Sequence, residues 1–441
     1  MSLLSLARIR TPILALATLA AAAFAMAPRA HAEAKLLIDA ASGKVLYADN
    51  ATYPWYPASV TKLMTLYTTL SEIKAGRVTL NTLLTVSSNA AAQQPTKMGF
   101  KVGTTVTIDN AIKMLMVKSA NDMAVTIAEG VGGSIEGFAD LMNANAKKLG
   151  MTQSNFVNPN GLPAENHYTS ARDLGILARA LITQFPQYDS YWHIHSIRYG
   201  NRVIHNYNKL LDRYPGADGM KTGFICASGY NLVASATRNG HRLIAIILGA
   251  WSGAVRTQQA AELLERGFNS TQLSWLTPSL GTVDQLAPIE AQPANLREEM
   301  CGGHRRKPPS EDNEEEPDSA DAGATGDATG NGQAFMLSSL KPSGKFVLGP
   351  PIDTEPPVVV FTGPADHPDA APVATAVKTK RKAKHVAKAA PAETQSAETA
   401  KPAAHGKTAH AKAAHAKPAR TETTKTAAAK KTKPKPAAVA Q

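Results

Sequence analysis

Two apolar runs, Leu36-Leu37-Ile38 and Val45-Leu46-Tyr47, flank Ala41-Ser42-Gly43, and that alternation predicts a β-hairpin over residues 35–48. From Ala58 to about Lys74 the period lengthens to three and four, with Leu63, Leu66, Tyr67 and Leu70 on one face of a helix. A second helix is expected from Thr107 to Val117, with Thr107 as its N-cap. Further helical stretches fall near 123–129, 135–149 and 171–182. After Pro215-Gly216 the period returns to that of strands: Met220–Phe224, Tyr230–Thr237 and Arg242–Leu248, the last two joined by a tight Asn239-Gly240 turn. An amphipathic helix from about Val255 to Phe268 closes the pattern. The expected fold class is α+β: the hairpin and the three-strand meander complete a five-stranded antiparallel sheet flanked by helices, and the central helices form a second lobe. A cleft between lobes is a favoured place for a substrate site.

Beyond about Thr271 this order fades. We place the folded domain at 33–275 and a short extension at 276–310. An acidic linker follows at 311–369, where residues 311–327 hold eight acidic side chains. Within it, Val347-Leu348 and Val358–Phe361 could form short strands. Residues 370–441 are almost entirely Ala, Lys, Pro, Thr and His, too poor in apolar surface to offset chain entropy, so a disordered tail is expected.

Charge sharpens that division. From Lys378 to Gln441 there are 16 Lys or Arg against 3 Glu, a net of +13, whereas the whole chain carries +12. The basic character belongs to the tail, not to the folded domain. After export such a tail meets no chromosome, so nucleic acid is set aside and anionic envelope polymers remain as possible partners. His405, His410 and His415 recur every five residues, which repetitive sequence explains better than a metal site.

At the other end, Arg8 and Arg10 precede an apolar stretch from Ile13 to Met26, and Ala30-His31-Ala32 fits a small-x-small cleavage site. Residues 1–32 therefore read as a signal peptide, placing the mature protein in the periplasm or cell envelope. In such a compartment Cys226 and Cys301 could bridge, though two unrelated buried thiols are an equal alternative.

Three short motifs carry the chemistry. Ser59-Val60-Thr61-Lys62 puts a hydroxyl and an amine on one face at the start of a helix, where the dipole favours negative charge. A buried Lys62 would have its pKa lowered and could accept the serine proton. Ser119-Ala120-Asn121 lies between two helices; its serine can relay a proton and its amide can hold a substrate amide. Lys221-Thr222-Gly223 heads a strand, where a cation and a hydroxyl suit a carboxylate and the glycine lets a peptide lie close. The Phe224 amide is placed to pair with that of Ser59 as an oxyanion hole. Singly, each also reads as a helix cap, a surface lysine or an exposed turn. In this order, on helix, interhelical loop and strand, they match the signature of penicillin-binding proteins and class A β-lactamases.

PASVTKLMT, MLMVKSANDMAVTIAEGVGGS, LMNANAKKLGMTQSNFVNPNGL, YTSARDLGILARAL and GADGMKTGFICASGYNLVASATRNGHRLIAIILGA closely resemble the low-molecular-mass D-Ala-D-Ala carboxypeptidases, over about residues 34–270. The resemblance implies the fold shared with serine β-lactamases and a serine acyl-enzyme that trims peptidoglycan stem pentapeptides and is inhibited by β-lactams such as penicillin. It implies Ser59 as nucleophile, Lys62 as proton acceptor, Ser119 as second catalytic serine and Lys221 as substrate-binding lysine. Arg256 resembles an arginine that helps anchor the terminal carboxylate. No metal or organic cofactor is implied. Many relatives continue into a β-rich second domain and a membrane-binding amphipathic helix; neither is apparent in residues 276–441. A class A β-lactamase would need a further glutamate, and Glu165 sits in an unrelated GLPAEN context. A transpeptidase or endopeptidase of the same superfamily is less separable by sequence. A purely wall-binding protein would need none of the four motif side chains.

Overall fold

The computed structural model describes residues 33–269, 280–303, 348–350 and 355–369. The signal segment, the 311–327 acidic run, the basic tail and its three spaced histidines lie outside the described residues. In chain order the elements are β1 (Ala34–Asp39), β2 (Val45–Asp49), α1 (Lys62–Lys74), β3 (Leu83–Thr85), β4 (Thr105–Thr107), α2 (Ile108–Val117), α3 (Asn121–Gly132), α4 (Ile135–Leu149), α5 (Ala171–Gln184), β5 (Ser196–Tyr199) and β6 (Arg202–His205). There follow β7 (Ala217–Ile225), β8 (Gly229–Arg238), β9 (His241–Ala250), α6 (Gly253–Asn269) and β10 (Val358–Val360).

The main sheet has the order β2-β1-β9-β8-β7, antiparallel throughout. This is the five-stranded arrangement expected from the hairpin plus meander. Both faces are covered, because side chains alternate across a strand: Ile244, Ile246 and Leu248 of β9 join the core beneath α5, while Leu243, Ala245 and Ile247 join a second core with Ala260 and Leu264 of α6. The β8–β9 turn uses left-handed backbone at Asn239 (φ 50°) and Gly240 (φ 77°), the pair a tight hairpin of this kind demands.

Helix starts follow the capping chemistry. The Thr107, Ser134 and Ser170 side chains accept from the backbone N–H groups of Asn110, Gly137 and Asp173. Short three- and four-residue strands escaped the sequence reading: β3 pairs with β4, and β5 with β6, in lengths too brief for alternation to register.

The boundary at 275 needs correction. Gly281 accepts from the Val45 amide, Thr282 bridges to Lys44, and Val283 is fully buried against the domain. Cys226 and Cys301 form a disulfide with Cα atoms 5.7 Å apart, so the bridged alternative is the one realised. Part of the stretch assigned to the acidic linker also folds onto the domain. β10 runs parallel to β5, the Phe361 amide donates to Asn110 Oδ1, and Gly363 pairs with Thr105. The short strand expected within Val358–Phe361 is thus present, as β10, and it docks on the domain where a linker was expected.

Candidate active site

Ser59, the expected nucleophile, is presented by the chain just before α1. Ala58–Thr61 forms a 3₁₀ turn, and Ala58 is held at φ 51°, a left-handed conformation that non-glycine residues rarely adopt. The surrounding structure fixes it there. Asn231 of β8 donates from Nδ2 to the carbonyls of Tyr56 (3.1 Å) and Pro57 (3.0 Å), while its Oδ1 accepts from the Gly249 amide. Gly161, at φ 82°, lies so close to the Ala58 carbonyl that a Cβ there would collide with it. Ser59 is thereby presented half-buried at the head of α1.

One turn on, Lys62 is fully buried, and its Nζ donates to Ser59 Oγ (2.9 Å), Asn121 Oδ1 (2.8 Å) and the Asn160 carbonyl (2.9 Å). Asn121 thus serves first as a partner of Lys62, and its own Nδ2 donates to the Gln94 carbonyl. Ser119 sits between α2 and α3 at φ 58°, wholly buried, and its carbonyl accepts from Thr96 Oγ1. Among the described residues the Ser119 Oγ and Thr222 Oγ1 have no hydrogen-bond partner. A buried hydroxyl without a partner costs free energy unless something else supplies one, as a bound substrate would.

Edge strand β7 lies against the Ala58–Thr61 turn. A Cβ on Gly223 would fall 2.8 Å from the Ser59 nitrogen and 3.0 Å from that of Val60, so only glycine admits this approach. Lys221 and Thr222 are buried, and Lys221 Nζ donates to the Thr222 carbonyl at 3.1 Å. Phe224 is half-buried, its ring 4.3 Å from that of Tyr230. Behind Tyr230, 5.5 Å from its ring centroid, lies the guanidinium of Arg256, on the first turn of α6 and also buried. The structure therefore brings Ser59, Lys62 and Asn121 into direct contact and sets Gly223 against Ser59. Arg256 is joined to the Phe224 end of β7 through Tyr230.

Sequence reasoning missed the floor of the site, the segment 158–161. Its Asn160 carbonyl holds Lys62 and its Pro159 carbonyl accepts from Thr65 Oγ1 at 2.6 Å. A backbone carbonyl has no residue signature; only the Asn-Pro-Asn-Gly turn chemistry signalled that the chain folds back there. His167 was missed as well. Its Nδ1 accepts from the Val157 amide, so in the neutral ring Nε2 carries the proton and donates to Thr61 Oγ1 (2.9 Å). Burial holds the imidazole neutral, its pKa lowered to about 4.

The family described as D-alanyl-D-alanine carboxypeptidase matches residues 21–252, more than half of the chain, and the chain belongs to that family. It is 38% identical over 254 residues to the D-alanyl-D-alanine carboxypeptidase DacC of Escherichia coli, covering 55% of this chain and 62% of that protein. It is 34% identical over 245 residues to DacF of Bacillus subtilis, with 54% and 62% covered. The chain thus spans about 62% of the length of these two curated relatives. Among solved structures, the carboxypeptidase DacD of Francisella tularensis superposes with a TM-score of 0.53 at 32% identity, covering 54% of this chain and 70% of that one. Penicillin binding protein 6B of Escherichia coli gives 0.52 at 34%, with 55% and 78% covered. The fold is that of the serine β-lactamases and D,D-peptidases.

Proposed function

We propose that this chain is an exported serine D-Ala-D-Ala carboxypeptidase that removes the terminal D-alanine from peptidoglycan pentapeptides. The observation that carries the reading is the set of partners around Lys62 Nζ: two carbonyl oxygens and one hydroxyl, all within 2.9 Å. A neutral amine has two N–H bonds and one lone pair. Once Lys62 is neutral, its N–H bonds can stay on the Asn121 and Asn160 carbonyls while the third contact reverses, the lone pair accepting the Ser59 proton.

In this mechanism Ser59 Oγ attacks the carbonyl carbon of the penultimate D-alanine as its proton passes to Lys62. The amide N–H groups of Ser59 and Phe224 stabilise the oxyanion. The C–N bond breaks, the proton reaches the departing D-alanine amine through Ser119, and a peptidyl ester remains on Ser59. Water then loses a proton toward Lys62 and Ser119 and adds to the ester; the ester C–O bond breaks, that proton passes to Ser59 Oγ, and the shortened peptide leaves. Lys221, Thr222 and Arg256 hold the carboxylate of the terminal D-alanine. β-Lactams acylate the same serine. Family membership supports the reaction class, and residues 1–32 support a periplasmic or envelope location.

Two measurements test the proposal together. The mature protein should release free D-alanine from a pentapeptide, and a fluorescent penicillin should label it covalently. Ser59→Ala should abolish both. Labelling that persists in the variant, with the adduct mapped elsewhere by mass spectrometry, would falsify the assignment of Ser59.

A further inference from the structure

The proposed oxyanion hole takes one amide from Ser59 and one from Phe224, on segments far apart in the chain. Both segments are held by the turn that joins β7 to β8. Phe224 and Ile225 end β7 directly before it. The Ile225 amide donates to Ser228 Oγ (3.3 Å), and the Ser228 amide donates back to the Ile225 carbonyl (3.0 Å). On the other side stands Trp55, fully buried in the stretch that leads into Ser59, and its Nε1 donates to the Ser228 carbonyl at 3.0 Å. Asn231, just past the turn on β8, holds the Tyr56 and Pro57 carbonyls of the same stretch.

This turn is clamped by the 280–303 extension, which lies outside the family match over residues 21–252. The extension is fastened to the domain along its length. Thr282 bridges to Lys44, the Asp284 carbonyl accepts from Arg172 Nη2 (2.9 Å), and the Ile289 carbonyl accepts from Gln153 Nε2 (2.9 Å). It ends on the turn itself. The Leu296 amide donates to the Ala227 carbonyl at 2.9 Å, and Met300 is buried so close to Gly229 that a Cβ there would come within 2.8 Å of its methyl group. Cys301 then closes the bridge to Cys226, two residues beyond Phe224. Both cysteines are half-buried rather than sealed in the core.

We infer that the disulfide-closed extension is a positioning element for the reaction: by clamping the β7–β8 turn it sets the separation of the Ser59 and Phe224 amides, and the Cys226–Cys301 bond makes that setting sensitive to redox state. The inference rests on the carboxypeptidase reading for what the two amides do. In reduction, a thiolate of an external dithiol attacks one cysteine sulfur and the S–S bond breaks. The second dithiol sulfur then displaces the mixed disulfide, so the dithiol leaves oxidised and Cys226 and Cys301 keep its two protons as thiols. Amides aimed at a developing oxyanion act chiefly in the transition state, so moving one slows bond formation and leaves ground-state binding nearly unchanged. An error of about 1 Å in such a geometry costs on the order of a hundredfold, and a partial loosening correspondingly less.

The test compares the oxidised full-length protein with the same protein reduced by dithiothreitol and then freed of reductant under argon. Both are kept well below their melting points, with circular dichroism confirming the fold. Labelling by a fluorescent penicillin over a range of concentrations gives the saturating acylation rate and the half-saturating concentration separately. The reduced form should acylate about tenfold more slowly at saturation, with half-saturation within about a factor of two, and re-oxidation should restore the rate. The Cys226→Ser, Cys301→Ser double variant should match the reduced form and ignore the dithiothreitol treatment. An acylation rate unchanged by reduction overturns the inference, as does a loss carried by half-saturation instead of the saturating rate. Amide hydrogen exchange read by mass spectrometry needs no turnover. On reduction it should rise in peptides covering both 55–61 and 223–230, and a rise confined to 295–303 overturns the clamp. A rise at both places in a protein that penicillin does not acylate would support the clamp while sinking the carboxypeptidase reading.

Discussion

Lys62 and His167 are both buried basic groups in the floor of the site, and their partners give them different work. Lys62 meets two carbonyls and a hydroxyl, an arrangement that suits a group exchanging one proton with Ser59. Lys62→Arg preserves charge but keeps its proton at any accessible pH. It should lose penicillin acylation while retaining the fold by circular dichroism; acylation near the wild-type rate would remove Lys62 from the base role. His167 instead has one ring nitrogen accepting from a backbone amide and the other donating to a threonine, which excludes the charged form. Its folded pKa of about 4 lies below the ordinary 6.5. Between those values the unfolded chain takes up a proton that the folded one refuses, so stability is intact above pH 6.5 and falls as pH drops toward 4. The loss is on the order of 3 kcal/mol. Urea unfolding of His167→Gln at several pH values should start from lower stability and show a shallower slope across that window. An unchanged slope would mean that other groups carry the acid sensitivity.

At the scale of elements, the disulfide makes the clearest claim. It joins the turn after β7 to the short helix Arg297–Cys301, across 75 residues of chain. On the chain-entropy account a loop of that length is worth roughly 4 kcal/mol. The Cys226→Ser, Cys301→Ser double variant should therefore melt on the order of 10 °C lower by calorimetry. A fall of under ~2 °C would indicate that the Lys44–Thr282 bridge and the buried Val283 already hold the extension. The same comparison marks what the sequence could convey. Strands of nine or ten residues such as β7 to β9, and helices with a Ser or Thr cap, were legible because period and capping chemistry act locally. The three motifs proposed as catalytic stood out because each pairs a reactive side chain with a recognisable local element. β3 and β5 were too short to show a period, whereas the valine run of β10 was legible as a short strand. The partners of Lys62 included a main-chain oxygen 98 residues away, which no spacing rule reports. Composition could not show that 355–369 docks, since a valine strand and a solvated linker can sit within one polar stretch and the partner strand β5 lies far back in the chain.

Charge is divided along the whole molecule more sharply than any element is. The net of +13 carried by residues 378–441 exceeds the +12 of the entire chain, so the remainder is close to neutral. All the proposed catalytic and substrate-binding residues lie before residue 257, and among the described residues the last segment packed on the domain ends at Asp369. Truncation after Asp369 should therefore leave pentapeptide hydrolysis in solution within about a factor of two, because every described neighbour of the motif residues is kept and surface changes away from packed groups are nearly neutral. Truncation after Pro308 is a different experiment, since it also removes β10 and the Asn110 contact to Phe361. Binding to isolated sacculi or acidic glycans should follow the tail instead. The full-length protein should bind at low salt and release steeply toward moderate salt, as exposed charges are screened beyond about 10 Å at 0.1 M. The form ending at Asp369 should bind weakly and with little salt dependence. The eight acidic residues in 311–327 offer the tail an internal partner, and deleting that run should then strengthen the binding of the otherwise full-length chain. Equal, salt-insensitive binding by the full-length and shortened forms would sink the tethering role and leave the tail a spacer.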